Sequence, residues 1–381
     1  MANSELETMP KLGFGLMRLP KKEGSEEIDV EIVKDMVDRF LAAGMRYFDT
    51  AYVYGNGDSE KAAREALVER YPREKFCLAT KLHAALQCTD EASAKQEFYT
   101  SLARTGAGYF DFYLLHAITK DNLHFYNDYH LWDFVAEQKA KGLIRHVGFS
   151  FHDSPELLDR ILAEHPEVEF VQLQLNYADW RDPRVQAESN YNTVRRHGKY
   201  VVVMEPVKGG TLAEPPKPIA DLLHRADPKA SLASWGIRFA ASHEGILTVL
   251  SGMSNLEQME DNLSYMQDFQ PLTAAEETTL EQAQAILRKI PQIPCTGCSY
   301  CTGGCPKKIP IPDLFKAMNW HLIYGDDAWA SEIYEEAMED KEAGKPSECL
   351  HCRACERACP QHLPIPEYLK QCAAVLEKNG K

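Results

Sequence analysis

The sequence predicts an α/β protein in which a (β/α)8 barrel is followed by a smaller helical domain. Two observations lead to this fold. Short β-rich segments alternate with helical patterns over the first 285 residues, and eight of the eleven cysteines fall in two groups beyond that point. A chain of 381 residues can hold one barrel of roughly 250 residues with about a hundred left over. We therefore expect domains at residues 1–285 and 286–381.

Eight segments have the composition of buried parallel strands, and helical patterns lie between them, as in a sheet joined by crossover helices. The segments are GFGLM (13–17), RYFDT (46–50), FCLAT (76–80), FDFYLLH (110–116), IRHVGFS (144–150), FVQLQLNY (170–177), YVVVMEP (200–206) and ILTVLSG (246–252). Helices are predicted from Pro155 to about Ala163 and over residues 231–243. Eight strands favour a barrel, whose active site lies where the strands end.

Polar side chains stand at several of these strand ends. They are Asp49, Lys81, His116, Gln172 and Asn176. Tyr54 follows Asp49 by five residues. Each residue alone is more typical of a surface charge, an ion pair, a barrel-rim aromatic or a satisfied histidine. Because Asp49, Lys81 and His116 end successive strands, however, they and Tyr54 would converge on one barrel mouth.

The eight clustered cysteines form two copies of one motif. Both groups read C-x2-C-x2-C-x3-C-P, the bacterial ferredoxin spacing, in which the fourth cysteine ligates the other cluster. We therefore predict two 4Fe-4S clusters. One set of ligands is Cys295, Cys298, Cys301 and Cys359, and the other is Cys349, Cys352, Cys355 and Cys305. Two structural zinc sites are the alternative, although zinc typically takes four ligands in two C-x2-C pairs.

The motif belongs to a longer repeat, because CPKKIPIPDLFK (305–316) and CPQHLPIPEYLK (359–370) align at a constant offset of 54 residues, with Pro310, Ile311, Pro312 and Lys316 matching Pro364, Ile365, Pro366 and Lys370. Such self-similarity predicts two related half-units. Pro312 and Pro366 each predict the start of a helix. Residues 313–345 are rich in Ala, Glu, Leu and Lys, which also predicts helix. The predicted fold is thus a (β/α)8 TIM barrel followed by an α-helical ferredoxin-like iron-sulfur domain.

Residues 8–265 resemble the aldo-keto reductases, and more narrowly their bacterial and archaeal branch with a C-terminal ferredoxin domain. The matching segments are GFGLMRLP (13–20), FDTAYVYGNGDSE (48–60), ATKL (79–82), DFYLLH (111–116), GFS (148–150), VQLQLNY (171–177), MEPVKGGTL (204–212) and SGMSNLEQMEDN (251–262). The resemblance implies that Tyr54 donates a proton to a carbonyl oxygen and that Lys81 lowers the pKa of its phenol. It also implies that Asp49 holds the ammonium and that His116 orients the oxygen. His83 and His152 have no trusted counterpart in the family and are expected to be surface or supporting residues.

The resemblance further implies NAD(P)H, bound without a GxGxxG motif. The expected contacts are Ser150, Gln172, Met204, Lys208, Gln258 and Asn262. Phe151 replaces the usual Asn, and Gln258 replaces the Arg that meets the 2′-phosphate, so a strong NADP preference is not expected. Lys208 would meet the pyrophosphate or lie solvated in its loop. A flavin would connect two-electron with one-electron chemistry, but no flavin motif is visible.

The net charge of −15 argues against nucleic acid and anionic membranes as partners, since both bind clustered Lys and Arg. The sequence contains no secretory pattern and no apolar membrane span, so we expect a cytoplasmic location. The expected partners are a small carbonyl or alcohol substrate and a redox partner protein. Two other hypotheses remain at this point: a ferredoxin-like carrier or redox sensor with a non-catalytic docking barrel, and an enzyme whose clusters are purely structural.

Overall fold

The computed structural model describes residues 6–86, 88–340 and 342–379. Both predicted domains extend into residues outside this set, at 1–5 and at 380–381. The predicted boundary at residues 285 and 286 remains a prediction.

Eight parallel strands in the described residues close into a barrel, in which each strand pairs with the next along the chain and the first pairs with the last. They are β1 Leu12–Gly15, β2 Tyr47–Asp49, β3 Cys77–Leu82, β4 Phe110–Ile118, β5 Ile144–Phe151, β6 Phe170–Gln174, β7 Tyr200–Met204 and β8 Ile246–Ser251. The predicted (β/α)8 barrel is therefore confirmed. All eight predicted segments contain a strand.

Helices connect the strands and form the C-terminal region. They are α1 Val30–Ala42, α2 Asp58–Ala63, α3 Glu91–Thr105, α4 Leu123–Asp128, α5 Leu131–Ala140, α6 Pro155–Glu164, α7 Ala187–Arg196, α8 Lys217–Ala226, α9 Leu232–Ala241, α10 Leu256–Met266, α11 Ala274–Leu287, α12 Ile311–Asn319, α13 Asp327–Ala337, α14 Ala354–Arg357 and α15 Ile365–Asn379. Shorter turns of 3-10 helix are Leu16–Arg18, Tyr54–Gly57, Arg73–Lys75, Lys208–Gly210 and Pro346–Glu348, and π-helical turns are Arg64–Val68 and Trp320–Tyr324.

Helix starts follow their capping residues. Ser154 caps α6 by accepting from the backbone N–H of Leu157, with Pro155 in the first turn, as the sequence predicts. Both repeat helices, α12 and α15, begin one residue before the predicted proline. The predicted helical stretch of residues 313–345 was too long, because α13 ends at Ala337 and residues 343–345 have no helix.

Strand alternation explains why the polar residues meet. Successive side chains of a strand point to opposite faces, so residues two apart share a face. Tyr47, Cys77, Ala79, Phe112, Leu114, Phe170 and Val202 pack in one apolar cluster with Leu6, Met9, Leu247 and Leu250. One further step of two along four of these strands reaches Asp49, Lys81, His116 and Gln172. Their side chains therefore lie on that same face, at the carboxyl ends of the strands.

The chain divides into two compact units, which are described separately. The first contains Met1–Pro206 and Ala233–Thr273, which include the whole barrel. The second contains Val207–Leu232 and Ala274–Lys381, so the segment that leaves β7 belongs with the cysteine repeat. Within it, α8 contacts α11. A search of the described residues finds no helix with the length and apolar character that a membrane span requires.

Candidate functional site

A buried lysine connects the residues at the ends of β2 and β3. Lys81 Nζ lies 2.5 Å from Oδ1 of Asp49, 2.7 Å from the carbonyl oxygen of Thr50 and 3.4 Å from the hydroxyl of Tyr54. An ammonium has three N–H donors, and these acceptors match them in number. Lys81 is fully buried and Tyr54 is 9% exposed. The phenol of Tyr54 is thus held against a desolvated cation.

Burial acts on the two charges of this pair in opposite directions. It lowers the pKa of Lys81 and raises the pKa of Asp49, because both lose their hydration. The attraction between the two groups opposes both shifts. The ammonium nitrogen also lies 4.8 Å from the centre of the Tyr54 ring. Asp49 is thus the acidic partner that opposes the loss of charge from Lys81.

The turn that carries Tyr54 is held by an arginine that sequence reasoning missed. The turn has left-handed backbone at Gly55, Asn56 and Gly57. Arg104, from α3, donates to the carbonyl oxygen of Tyr52 at 3.0 Å and to buried Glu60 at 3.2 Å. A Cβ at position 57 would lie 2.5 Å from the guanidinium carbon. The left-handed backbone at position 57 therefore favours glycine, and any side chain there would displace the guanidinium of Arg104.

His116 faces Tyr54 at the end of β4. The two rings meet edge to face with centroids 5.8 Å apart. The next residue, Ala117, has a left-handed backbone (φ 53°), and its N–H donates to Ser150 Oγ at 2.6 Å. The hydroxyl of Tyr126 donates to the carbonyl oxygen of His116. Burial, followed by nearby His83 and Lys81, lowers the pKa of His116 well below its usual value, so its imidazole is neutral near pH 7.

His83 joins the site beyond Lys81, which the sequence did not predict. It is 6% exposed, and its ring meets that of His116 edge to face at 5.4 Å. The carboxylate of Glu97 accepts from the His83 backbone N–H at 2.9 Å and from the Cys88 thiol at 3.3 Å. Burial raises the pKa of Glu97 to about 7. The rule that strand-end residues point inward in steps of two would have found His83, two positions after Lys81.

The expected nicotinamide contacts lie on neighbouring strands. Gln172 is 2% exposed, and its Oε1 is buried without a hydrogen-bond partner among the described residues. Ser150 lies opposite Gln172 in the register of β5 and β6. Its oxygen accepts from Ala117, while its own O–H remains a donor. Met204, half-buried, ends β7 and pairs with Gln174. The set therefore offers a carboxamide one buried acceptor and one hydroxyl.

The expected adenosine contacts are already engaged within the chain. The side chain of Gln258 accepts from the backbone N–H of Ser254 at 2.8 Å, next to the cap of α10. Asn262 donates to Ser251 Oγ and accepts from the Tyr265 hydroxyl, both at 2.6 Å. Gln258 brings no charge to this position, so it cannot act as the cation that the family uses for a 2′-phosphate.

Lys208 lies in a turn that packs on the cysteine repeat. This lysine is 5% exposed, so it is not a solvated loop residue. A Cβ added to Gly209 would lie 2.4 Å from the carbonyl oxygen of Thr296, between Cys295 and Cys298. The second compact unit contains both segments. The turn that follows β7 in the chain thus touches the first cysteine loop.

The structure brings the cysteines together in the predicted crossed arrangement. One pocket is lined by Cys295, Cys298 and Cys301 of the first motif and by Cys359 of the second. A second pocket is lined by Cys349, Cys352 and Cys355 of the second motif and by Cys305 of the first. Each cavity thus receives three cysteines from one half of the repeat and one from the other.

The internal repeat extends to backbone conformation. Left-handed residues recur at equivalent positions of the two halves: Gly297 and His351, Ser299 and Arg353, Lys308 and His362. Left-handed backbone turns the loop sharply between ligands and aims N–H groups inward. The N–H of Gly297, for example, lies 3.4 Å from the sulfur of Cys295. His351 and Arg353 adopt this conformation despite carrying side chains that disfavour it.

The cysteines surround space and do not meet at a point. In the described part of the chain, no three His, Cys, Asp or Glu residues are arranged to hold a single metal ion. Burial and the neighbouring Cys298, Cys295 and Cys359 raise the pKa of Cys301, and burial raises the pKa of Cys355 to about 11. Such crowded thiolates need a cationic centre to offset their repulsion.

Two family models match separate parts of the chain. The model of the aldo/keto reductase family matches residues 11–285, which is more than half of the 381 residues. A model described as a 4Fe-4S dicluster domain matches residues 294–363. The barrel and the cysteine repeat therefore each fall within a match of their own.

Individual relatives resemble the barrel portion. An aldo-keto reductase of Mycolicibacterium vanbaalenii is 29% identical over 284 residues, which is 72% of this chain and 88% of the relative. A NAD/NADP-dependent indole-3-acetaldehyde reductase of Schizosaccharomyces pombe is 27% identical over 265 residues, covering 68% of this chain and 85% of the relative.

Solved structures resemble the same portion. An aldo-keto reductase from Bacillus halodurans in its holo form has 25% identity and a TM-score of 0.59, covering 71% of this chain and 91% of that one. A Klebsiella pneumoniae aldo-keto reductase in complex with NADPH has 19% identity and a TM-score of 0.58, covering 72% of this chain and 91% of that one. The second likeness shows the fold alone.

Glu97 should make stability depend on pH. Its pKa is about 7 in the folded chain against an ordinary 4.5, so the folded state binds the proton more tightly and stability should fall as pH rises from 4.5 through 7. The free energy of unfolding should therefore decrease with pH in this range, and replacing Glu97 with Gln should reduce that decrease by up to about 2 kcal/mol. Denaturant unfolding of both proteins at pH 5 and pH 8 measures it, and equal pH dependence in the two proteins would contradict the assignment.

Proposed function

Because this chain belongs to the aldo/keto reductase family and carries a 4Fe-4S dicluster domain, we propose that it interconverts a carbonyl and an alcohol, with Tyr54 as the proton donor and two 4Fe-4S clusters as electron carriers. The observation that carries this proposal is the buried ammonium of Lys81, which lies within hydrogen-bond distance of both Asp49 and Tyr54. A surface ion pair would not need a phenol, and a rim tyrosine would not need a buried cation.

The chain's own residues account for the proton transfer. A carbonyl becomes an alcohol when its carbon receives a hydride and its oxygen a proton. Tyr54 gives its phenolic proton to the oxygen, and Lys81, 3.4 Å away, stabilises the phenolate that remains. The imidazole of His116 is neutral, and the backbone around it is held by the contacts of Tyr126 and Ser150. This imidazole donates a hydrogen bond to the same oxygen. Solvent then returns a proton to Tyr54, and the reverse sequence oxidises the alcohol.

A nicotinamide dinucleotide fits the amide end of this site. Gln172 Oε1 is a buried acceptor that lacks a partner among the described residues, and it would accept from the carboxamide, with Ser150 as the donor beside it. When bound, the reduced cofactor supplies the hydride. We infer no preference for NADPH, since Gln258 is neutral and turned back on the start of α10.

The two cysteine groups fit 4Fe-4S clusters better than zinc. Each group lines one pocket with four thiols, whereas the described side chains do not converge on one ion. Two such clusters accept one electron each, which together equal the two electrons of a hydride.

A second candidate function rests on the engaged adenosine contacts. Gln258 and Asn262 already form side-chain hydrogen bonds within the chain. A barrel whose adenosine contacts are engaged in this way would suit an electron carrier or redox sensor that uses the barrel for docking. The complete set of Asp49, Lys81, Tyr54 and His116 favours catalysis, because a docking module has no use for a buried lysine beside a phenol.

Replacing Tyr54 with Phe should lower kcat/KM for every carbonyl that the protein reduces by about 10²- to 10⁴-fold, since the proton donor is lost. Steady-state kinetics measures this. Tyr99→Phe is the matched control, because Tyr99 lies 41% exposed on α3 and its variant should keep full activity. Unchanged turnover in Tyr54→Phe would refute the assignment.

Single cysteine variants should fall into two classes. Cys301→Ala and Cys359→Ala should remove the same cluster, while Cys305→Ala and Cys355→Ala remove the other, because each pair lines one cavity. Iron and sulfide content, with EPR spectra of the reduced protein, separates the classes. Cys372→Ala lies outside both cavities and should keep both clusters. A class in which Cys301 groups with Cys305 would overturn the crossed ligation.

Anaerobic titration should show that NADH and NADPH bind with similar affinity and reduce the clusters, as followed by EPR and visible absorbance. Gln258→Arg should raise the affinity for NADPH relative to NADH by about 10-fold, because a guanidinium can form an ion pair with the 2′-phosphate. Calorimetry gives both affinities. Binding of neither dinucleotide would favour the docking module over the enzyme.

A further inference from the structure

The two ligand loops of the cysteine repeat, residues 295–305 and 349–359, differ in how far the chain covers them. Immediately after the first cysteine of the motif, Thr296 is 3% exposed, whereas its equivalent in the second loop, Leu350, is 59% exposed. The chain itself covers Thr296, because the turn Lys208–Gly210 packs against it within the same compact unit. The second loop therefore presents an apolar side chain to solvent at a position that the first loop buries.

Charge also distinguishes the two pockets. Lys307 and Arg353 line the pocket of the second loop, and both side chains are exposed. The other pocket has no charged side chain in its lining, as far as the structure describes the chain. At the offset of 54 residues, the positions equivalent to Lys307 and Arg353 hold Gln361 and Ser299. The first loop thus wraps its thiols without these charges, so ligand wrapping does not explain them.

Arg357 adds a third cation beside an exposed cysteine of the second loop. Its guanidinium donates to the carbonyl oxygen of Cys352 at 3.4 Å, and the equivalent position in the first loop is Gly303. Glu356 lies 3.6 Å from Arg353, and the guanidinium is the more exposed partner of this pair. Arginine is enriched at protein–protein interfaces, where an apolar centre meets a polar rim. The exposed loop therefore has the composition of an interface.

The charge near this loop is opposite in sign to that of the whole chain. Residues 305–308 and 345–357 contain five Lys or Arg and two Glu, whereas the net charge of the chain is −15. Lys308 pairs with Glu342, which offsets one of these positive charges. Exposed charges that lie further apart than a Debye length, about 8 Å at physiological ionic strength, are largely screened. A protein that touches the loop therefore responds mainly to its local positive charge.

We propose that Lys307, Leu350, Arg353 and Arg357 form a docking surface for an acidic protein that carries single electrons. The inference rests on the proposed function, because it requires a cluster on the cysteines of the second pocket. One electron passes between the docked protein and that cluster. One of the two is oxidised as the other is reduced, and no bond or proton changes place.

A carrier protein suits this surface better than a nucleic acid or an anionic membrane does. Those polyanions bind broader clusters of Lys and Arg. Interfaces for electron transfer are small, often below about 1,200 Å² in total, so a few residues suffice. Complementary charge at such an interface mainly raises the rate of encounter and selects the partner. The four residues of the docking surface combine that charge with one apolar contact.

Replacing docking residues with their equivalents from the first half of the repeat tests the surface. In the cluster-loaded full chain, Lys307→Gln combined with Arg353→Ser should weaken binding of an acidic flavodoxin by about 5- to 30-fold at low salt, because two exposed ion pairs are lost. Leu350→Thr should weaken binding with little change in its salt dependence. Calorimetry at low and high salt measures both effects. Flavodoxin contains no iron, so cluster EPR spectra can be followed in the complex.

Arg196→Ser combined with Lys217→Gln is the matched control, because it removes two positive charges from exposed side chains elsewhere. This control should bind flavodoxin within about 2-fold of the wild type, since distant charges are screened. Cytochrome c, a basic carrier of single electrons, should bind the Lys307→Gln/Arg353→Ser variant at least as well as the wild type. Equal weakening in the control, undiminished flavodoxin binding in the docking variant, or parallel loss of cytochrome c binding overturns the proposal.

Failure of the proposed function has a different signature. Iron and sulfide content, with EPR spectra, shows whether wild type and variants hold both clusters. Their absence from the wild type refutes the proposed clusters, and the docking surface falls with them. Loaded protein that reduces no carbonyl refutes the barrel chemistry alone, because flavodoxin binding does not depend on turnover. Loaded wild type that binds no flavodoxin refutes the docking surface alone. Lys307→Gln by itself, outside the second loop, repeats the test if the double variant loses iron.

Discussion

The barrel site depends on the contacts that the buried ammonium of Lys81 makes with its neighbours. It is fully buried, and its three contacts join the end of β2, the backbone after it and the phenol of Tyr54. A desolvated lysine without acceptors would lose its charge, because burial alone lowers its pKa. Asp49 opposes this loss of charge, and the same nitrogen lies 3.4 Å from the phenol oxygen of Tyr54.

The surroundings of this lysine are built to keep its partners in place. Arg104 and Glu60 hold the turn before and after Tyr54, and the left-handed Ala117 with Ser150 fixes the backbone beside His116. These supports are backbone contacts made by side chains from other elements. The supports hold the residues around Lys81 in place. The guanidinium of Arg104 also occupies the space that a side chain at position 57 would enter.

The iron-sulfur domain follows a different constraint, which is the symmetry of its repeat. Two loops of equal spacing each wrap three thiols around a cavity and send the fourth to the other loop. Left-handed residues at equivalent positions make both turns, even where the residue is His or Arg. Within the second compact unit, the turn Lys208–Gly210 contacts the first cysteine loop at Thr296.

Local patterns in the sequence determined the eight strands and predicted the crossed grouping of the cysteines, because strand composition and loop wrapping depend on near neighbours along the chain. The convergence of Asp49, Tyr54, Lys81 and His116 was also predictable once a barrel was inferred, since strand ends meet at one mouth. Only the tertiary structure decided the roles of Arg104, Glu97 and His83, which act through contacts between residues 14 to 52 positions apart. It also decided that Lys208 is buried and that Gln258 folds onto its own helix. Burial and long-range contacts are properties of the packed surroundings, and no spacing in the sequence encodes them.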